Sequence, residues 1–179
     1  MHPADLPSPA NPNEWREERA DALRVRLRPT RPGDLAAIFE HQSDPESNEM
    51  AGTKARSREM FFGAWERNFA DPGVNARVIE IGGACGPEIV GSIACFQAEG
   101  RDCVGYWIVR EHWGKGIASR VLAMFLFEER RRPLHATAAR SNASSGRILE
   151  KCGFRCVGFR MGEETERYVA REIAEFVLE

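Results

Sequence analysis

The sequence predicts a mixed α/β domain: an antiparallel meander of strands, then a strand–helix–strand–helix–strand section. Three observations carry this. Apolar runs at 77–81, 88–96 and 103–109 are separated by Gly82-Gly83 and by Gly100-Arg101-Asp102, which reads as strands joined by tight connections. The third run ends in Trp113-Gly114-Lys115-Gly116 and opens at once into the helical Ile117-Ala118-Ser119-Arg120-Val121-Leu122. Beyond Pro133 the chain alternates strand (134–139), helix (144–151) and strand (154–160).

From the N-terminus, residues 1–21 read as a flexible arm containing Pro3, Pro7, Pro9 and Pro12, in which Asn13 can cap a short helix over 14–19. Residues 22–179 read as a single domain. Leu23, Val25 and Leu27 alternate with Arg24, Arg26 and Arg28, the period of a strand with one buried face. Thr30 and Asp34 introduce a helix carrying Leu35, Ile38 and Phe39. Ser57 caps the next helix, where Phe61, Phe62, Trp65 and Phe69 recur at helical spacing as a core stripe. Asp71-Pro72-Gly73 turns the chain into the meander. The helix after the glycine loop spans about 116–131 and is stopped by Pro133. The last segment, 173–178, reads as an edge strand or, given its alanine and glutamate, as a helix.

Composition narrows the class. The 25 basic and 27 acidic residues leave a formal charge of −2, which gives no field to attract nucleic acid. No run approaches the roughly 20 apolar residues of a transmembrane helix, and the start lacks the basic-then-apolar order of a secretory signal. The expectation is a cytoplasmic protein with no membrane partner. Cys85, Cys95, Cys103, Cys152 and Cys156 show neither a C-x-x-C pair nor zinc spacing, so they read as free thiols with no metal site.

Two glycines at a strand-to-helix junction let the backbone turn tightly. They also leave amides unpaired at the positive end of a helix, a seat for phosphate. Alone, Gly-x-Gly reads equally well as a tight connection. A second motif lies downstream, Asn142-Ala143-Ser144-Ser145-Gly146-Arg147-Ile148-Leu149-Glu150-Lys151-Cys152-Gly153-Phe154. In this order the two segments resemble the GNAT superfamily of acyl-CoA N-acyltransferases. Gly116 and Ala118 fill the small positions of its Q/R-x-x-G-x-G/A loop, while Trp113 stands where Gln or Arg is usual. The second segment is similar to the N-x-x-S-x-x-x-L-E-K-x-G-F stretch of its branch of ribosomal-protein N-terminal alanine acetyltransferases. The resemblance implies a GNAT-like mixed, largely antiparallel sheet of about six to seven strands flanked by helices. It also implies an acyl-CoA cleft where the central strands part near Ile108.

By the same resemblance acetyl-CoA is the cosubstrate. Amides around Gly114, Lys115, Gly116, Ile117, Ala118 and Ser119 would hold its pyrophosphate, and Ile108 and Val109 would offer backbone groups to the pantetheine arm. Trp113 removes one polar side-chain contact and leaves the main-chain ones. Asn142 and Ser145 fall one helical turn apart and can both face the channel, though Asn142 suits a helix N-cap equally well. Lys115, Arg120 and Arg147 reach for phosphate or are solvated surface charge.

Acyl transfer also needs a neutral amine and stabilisation of the departing sulfur. Many members of the superfamily carry a tyrosine at the position of Leu149, a hydroxyl this chain lacks there. Ser145 is the candidate to hydrogen-bond the leaving thiolate, or else a cosubstrate contact. An ungapped count places Asp102 where histone-acetylating relatives carry a carboxylate, on one strand face with Tyr106 and Ile108. The competing reading puts Asp102 in a hairpin turn. Without a dedicated base, an α-amine of pKa near 8 is still neutral in roughly a tenth of molecules at pH 7, against about one in 2,500 for a lysine side chain. The expected acceptor is therefore a small-molecule amine or a protein N-terminus. Asp44, Glu46, Glu49, Glu163, Glu164 and Glu166 border its path, as a groove for a cation or as solvated loop charge. The expected function is acetyl-CoA-dependent N-acetyl transfer; the alternative is a non-catalytic acyl-CoA-binding domain of the same fold. A homodimer is left open.

Overall fold

The computed structural model describes residues 24–83 and 86–179; the proline arm, the 14–19 segment, Leu23 and Cys85 lie outside the described residues. The strands are β1 (Arg26–Pro29), β2 (Asn75–Gly83), β3 (Gly86–Ala98), β4 (Arg101–Ile108), β5 (Leu134–Ala139), β6 (Arg155–Met161) and β7 (Glu172–Leu178). They form one sheet in the order β1-β2-β3-β4-β5-β7-β6. The helices are α1 (Leu35–His41), α2 (Pro45–Ala51), α3 (Arg58–Ala70), α4 (Ile117–Glu128) and α5 (Ala143–Lys151). Among the described residues no helix is long and apolar enough to cross a membrane.

Strand alternation sorts side chains to the two faces of the sheet. Val78 packs with Leu35, Ile38, Phe61 and Trp65 of α1 and α3, while its neighbour Ile79 packs with Val121, Leu122 and Phe125 of α4. The aromatic stripe of α3 joins the first of these cores, Phe39 meeting Phe61 edge-on at 5.2 Å, with Phe69 left exposed. Every strand pairing is antiparallel except β4 with β5, which run parallel and share a single register pair, Cys103↔His135.

Several boundaries differ from expectation for local physical reasons. The β3–β4 turn consists of Glu99 and Gly100, both left-handed at φ 52° and 73°, as a two-residue hairpin between twisted strands requires. Asp102 therefore sits inside β4, opposite Gln97, and not in the turn. Helix α4 ends at Glu128, well before Pro133. Glu129 is extended and buried, its carboxylate accepting from Arg131 at 2.7 and 2.9 Å and from Asn75 at 3.0 Å. The C-terminal segment is a strand but not an edge: β7 lies between β5 and β6, with Ala174, Phe176 and Val177 buried. Buried Val177, on the face opposite Ala174 and Phe176, blurs the alternation that would have set this strand apart from a helix. Helix α2 went unread, although Asp44 as cap, Pro45 in the first turn and left-handed Gly52 after the end are ordinary start and stop signals.

Arg28 ties the first layer together. Its guanidinium donates to Glu80 at 2.6 Å and to both oxygens of Asp34 at 2.8 Å, and both carboxylates are buried. Glu129 anchors the far end of α4. The Arg131 guanidinium, helped by Asn75, holds its carboxyl down at about 2 against burial. An acid with a depressed folded pKa contributes stability that is complete above its unfolded pKa, near 4.5, and is lost as pH falls toward 2. Denaturant midpoints measured from pH 5 downward should fall through that window, and Glu129→Gln should flatten the fall; an unchanged slope in the variant would count against this role.

Candidate active site

Because β4 and β5 touch at one register pair, they part toward Ile108: β4 stays with β3 while β5 follows β7. The gap is a cavity of about 570 Å³. Tyr106 and Ile108 line it from β4; Ala136, Ala138 and Ala139 of β5 keep the opposite wall low. The glycine loop and the first turn of α4 close one end, and Ser47, Met50 and Ala51 of α2 border the other. Gly91 sets the position of β4. A Cβ there would fall 2.1 Å from the Trp107 carbonyl oxygen, so only glycine lets β3 approach so closely.

After β4 a 3₁₀ turn, Arg110–His112, leads into Gly114 and Gly116, both left-handed at φ 71° and 76°. Gly116 is the N-cap of α4. Asp44, Ser57 and Asn142 cap α2, α3 and α5 with side-chain oxygens, but no side chain among the described residues caps α4. The amides of Ile117, Ala118 and Ser119 thus begin the helix without intrahelical acceptors, beside the cavity. Trp113 remains exposed but bends back on β4, its indole N–H donating to the Ile108 carbonyl at 2.8 Å. The Val109 N–H donates to the Val90 carbonyl at 2.9 Å. One carbonyl and one amide expected to serve a pantetheine arm therefore already have protein partners.

The polar centre of the cavity is a hydroxyl pair. Tyr106 Oη and Ser145 Oγ lie 2.8 Å apart, either able to donate. Asn142 fixes the serine from below, its Oδ1 accepting the Ser145 N–H at 3.0 Å as the cap of α5 while it also lines the cavity. Burial pushes the Tyr106 phenol up to about 12, with the Ser145 hydrogen bond opposing, so the phenol stays protonated across the neutral range. Leu149, on the same helix, is core.

Other residues singled out in the sequence fall elsewhere. Asp102 lies off the cavity and meets Arg131 at 3.4 Å. Val109 and Lys115 do not line the cavity either, Lys115 Nζ lying 3.4 Å from His112 Nδ1. Arg147 does line it, near Ser144. Cys152 packs at the end of α5 with its thiol pushed up by burial. The acidic rim is largely neutralised: Glu46 pairs with Arg110 at 2.6 Å, Glu164 with Lys54 at 2.6 Å and Glu49 with Arg171 at 3.3 Å, while Asp44 caps α2. Trp107, Ser47, Met50 and Ala51 of α2 and the alanines of β5 were not read as site residues. The small-residue run Ala136-Thr137-Ala138-Ala139 was the available signal. Among the described residues no cluster of three or more His, Cys, Asp or Glu is placed to hold a metal ion.

A glycine-built loop feeding an uncapped helix, beside a gap between parting parallel strands, defines an acyltransferase fold. Residues 24–155 match the family model described as an acetyltransferase (GNAT) domain, and the chain belongs to that family. It is 33% identical over 102 residues to the Bacillus subtilis (strain 168) protein described as "Putative ribosomal N-acetyltransferase YdaF", a match covering 54% of this chain and 55% of that protein. The chain thus spans about half the length of that curated relative. Among solved structures it is similar to spermidine N-acetyltransferase from Vibrio cholerae in complex with CoA and spermine, with TM-score 0.71 and 17% identity over 87% of this chain and 95% of that one. It is also similar to the Microcin C7 self immunity acetyltransferase MccE in complex with acetyl-CoA and AMP, with TM-score 0.67 and 14% identity over 86% and 91%. Identities this low show a common fold.

Proposed function

We propose that this chain transfers an acetyl group from acetyl-CoA to a primary amine of a small molecule or a protein N-terminus, with residues 22–179 as the transferase domain. The observation that carries this reading is the Tyr106–Ser145 hydroxyl pair inside a cleft that opens at an uncapped helix N-terminus. The names of its relatives, a ribosomal N-acetyltransferase and a spermidine N-acetyltransferase, support amine acceptors.

The residues fit the cosubstrate. Left-handed Gly114 and Gly116 have open space where a side chain would stand, and the amides of α4 beyond them can take a pyrophosphate. Acetyl-CoA supplies a thioester whose acyl carbon accepts the amine nitrogen as the carbon–sulfur bond breaks. Of Tyr106 and Ser145, one hydroxyl donates to the other, and the pair offers its remaining O–H to the departing sulfur. A phenol near 12 does not hand its proton outright to a thiolate whose conjugate acid sits near 8.5, so the pair stabilises the developing charge by hydrogen bonding. The proton lost by the amine drains to solvent.

Acetyl-CoA at about 100 times its Kd should stabilise the fold by roughly 2.7 kcal/mol, a rise in Tm of about 5–10 °C. Gly116→Val places a β-branched residue at a left-handed position and should remove most of that rise. No rise in the unmutated protein at verified ligand excess would remove the proposal.

A further inference from the structure

We propose that the acceptor carries an oxyanion, a carboxylate or a phosphate, near the amine that is acetylated, and that Arg56 and Arg167, which flank the α2 end of the cavity behind Trp107 without lining it, hold that group. The inference rests on the acetyl-transfer reading above and names its substrate class. The Arg167 guanidinium lies over the ring of cavity-lining Trp107, 5.9 Å from the centroid. It also reaches Asn48 Oδ1 at 3.5 Å, next to cavity-lining Ser47, and the Lys54 carbonyl. Arg56 donates to Gln42 Oε1 at 2.7 Å and stacks over Phe61 at 5.0 Å, and its Nε is buried with no hydrogen-bond partner.

The charge balance around this mouth is uneven. Lys54, Arg110, Arg140 and Arg171 each meet a carboxylate. Arg56 and Arg167 do not meet one among the described residues, and both are half-buried. Burial, with the charge of Arg56 added, pushes Arg167 down to about 10, and burial lowers Arg56 as well. Both remain cations at neutral pH. Two neighbouring guanidiniums without a counter-charge are repulsive and partly desolvated, and a bidentate oxyanion relieves both costs. Of the acids on the acceptor path, Glu46, Glu49 and Glu164 are each engaged by a cation and Asp44 caps α2, which weakens their pull on a polycation. The competing reading makes Arg167 purely structural, since its main chain and side chain both meet Lys54.

Matched acceptors separate these readings: 2-aminoethyl phosphate against ethanolamine, an amino acid against its amide, and spermidine as a cationic reference. Each is measured for kcat/KM and, by calorimetry, for binding to the CoA-saturated protein. The oxyanion member of at least one pair should be preferred by about 10–100-fold, as for a charge-assisted hydrogen bond, and the arm that wins names the anion. Arg56→Gln and Arg167→Lys should each erode that preference while CoA affinity, the check on folding, stays at the wild-type value. An absent preference in both arms, or one that survives both variants, overturns the oxyanion site. Acetylation of spermidine or ethanolamine without preference does so while leaving the transfer reading intact. Arginine-dependent oxyanion binding with no amine acetylated would uphold the site and sink the transfer reading instead.

Discussion

Tyr106→Phe should lower kcat by about 10²–10³-fold while leaving acetyl-CoA affinity nearly unchanged. The phenol ring keeps its packing against the core; only the oxygen that lies 2.8 Å from Ser145 Oγ is lost. Because the two hydroxyls act as one donor, Ser145→Ala should bring a loss of similar size, and the double variant should be little worse than either single one. Steady-state kinetics on the three variants, with acetyl-CoA affinity measured separately, decide the matter. Wild-type kcat in both single variants would end the assignment. A rise in KM for acetyl-CoA alone in Ser145→Ala would make the serine a cosubstrate contact.

Arg28→Met should cost about 3–5 kcal/mol, the usual penalty for leaving buried charge unpaired, and should lower Tm by about 6–20 °C. The methionine retains the apolar stem but abandons Glu80 and Asp34, both buried. Arg26 cannot take over, since it meets Glu80 from an exposed position and does not reach Asp34. The Arg28 guanidinium holds the Asp34 carboxyl below its ordinary range. That contribution is present above the unfolded pKa of about 3.9 and lost below it, so the deficit of the variant should narrow as pH drops under about 4. Equilibrium unfolding of both proteins at pH 7 and pH 3.5 tests it; an equal deficit at the two values would assign the loss to packing.

What could be read from the sequence is what is written in the backbone. Gly114 and Gly116 mark left-handed positions that few other residues take, and apolar runs between glycine-bearing turns mark β2 to β4. Asn142 and Ser145 were legible because one helical turn spaces them. Tyr106 was placed on the right strand face, but its partner is 39 residues away, and pairing across that separation depends on where α5 lands. Arg56 and Arg167, from α2's flank and the β6–β7 connection, met no local rule. In the sequence they look like any surface arginine, and only the fold removes their carboxylates. The insertion of β7 between β5 and β6 was hidden for a related reason, since its pairing with β5 joins segments distant in sequence.

A sheet joined across its middle by the single pair Cys103↔His135 is mechanically two plates. The backbone ladder that usually transmits rigidity from edge to edge is nearly interrupted there. Cohesion between the plates passes instead to the fasteners laid across the seam: α4 packs on β1, β3 and β4, α5 on β5 and β6, and the two helices touch each other. The width of the cleft is thus governed by apolar side chains such as Val121, Leu122 and Phe125, which pack in the core without lining the cavity. A change in the volume of those fasteners acts as a change in gauge, loosening or tightening the grip on whatever lies between the plates.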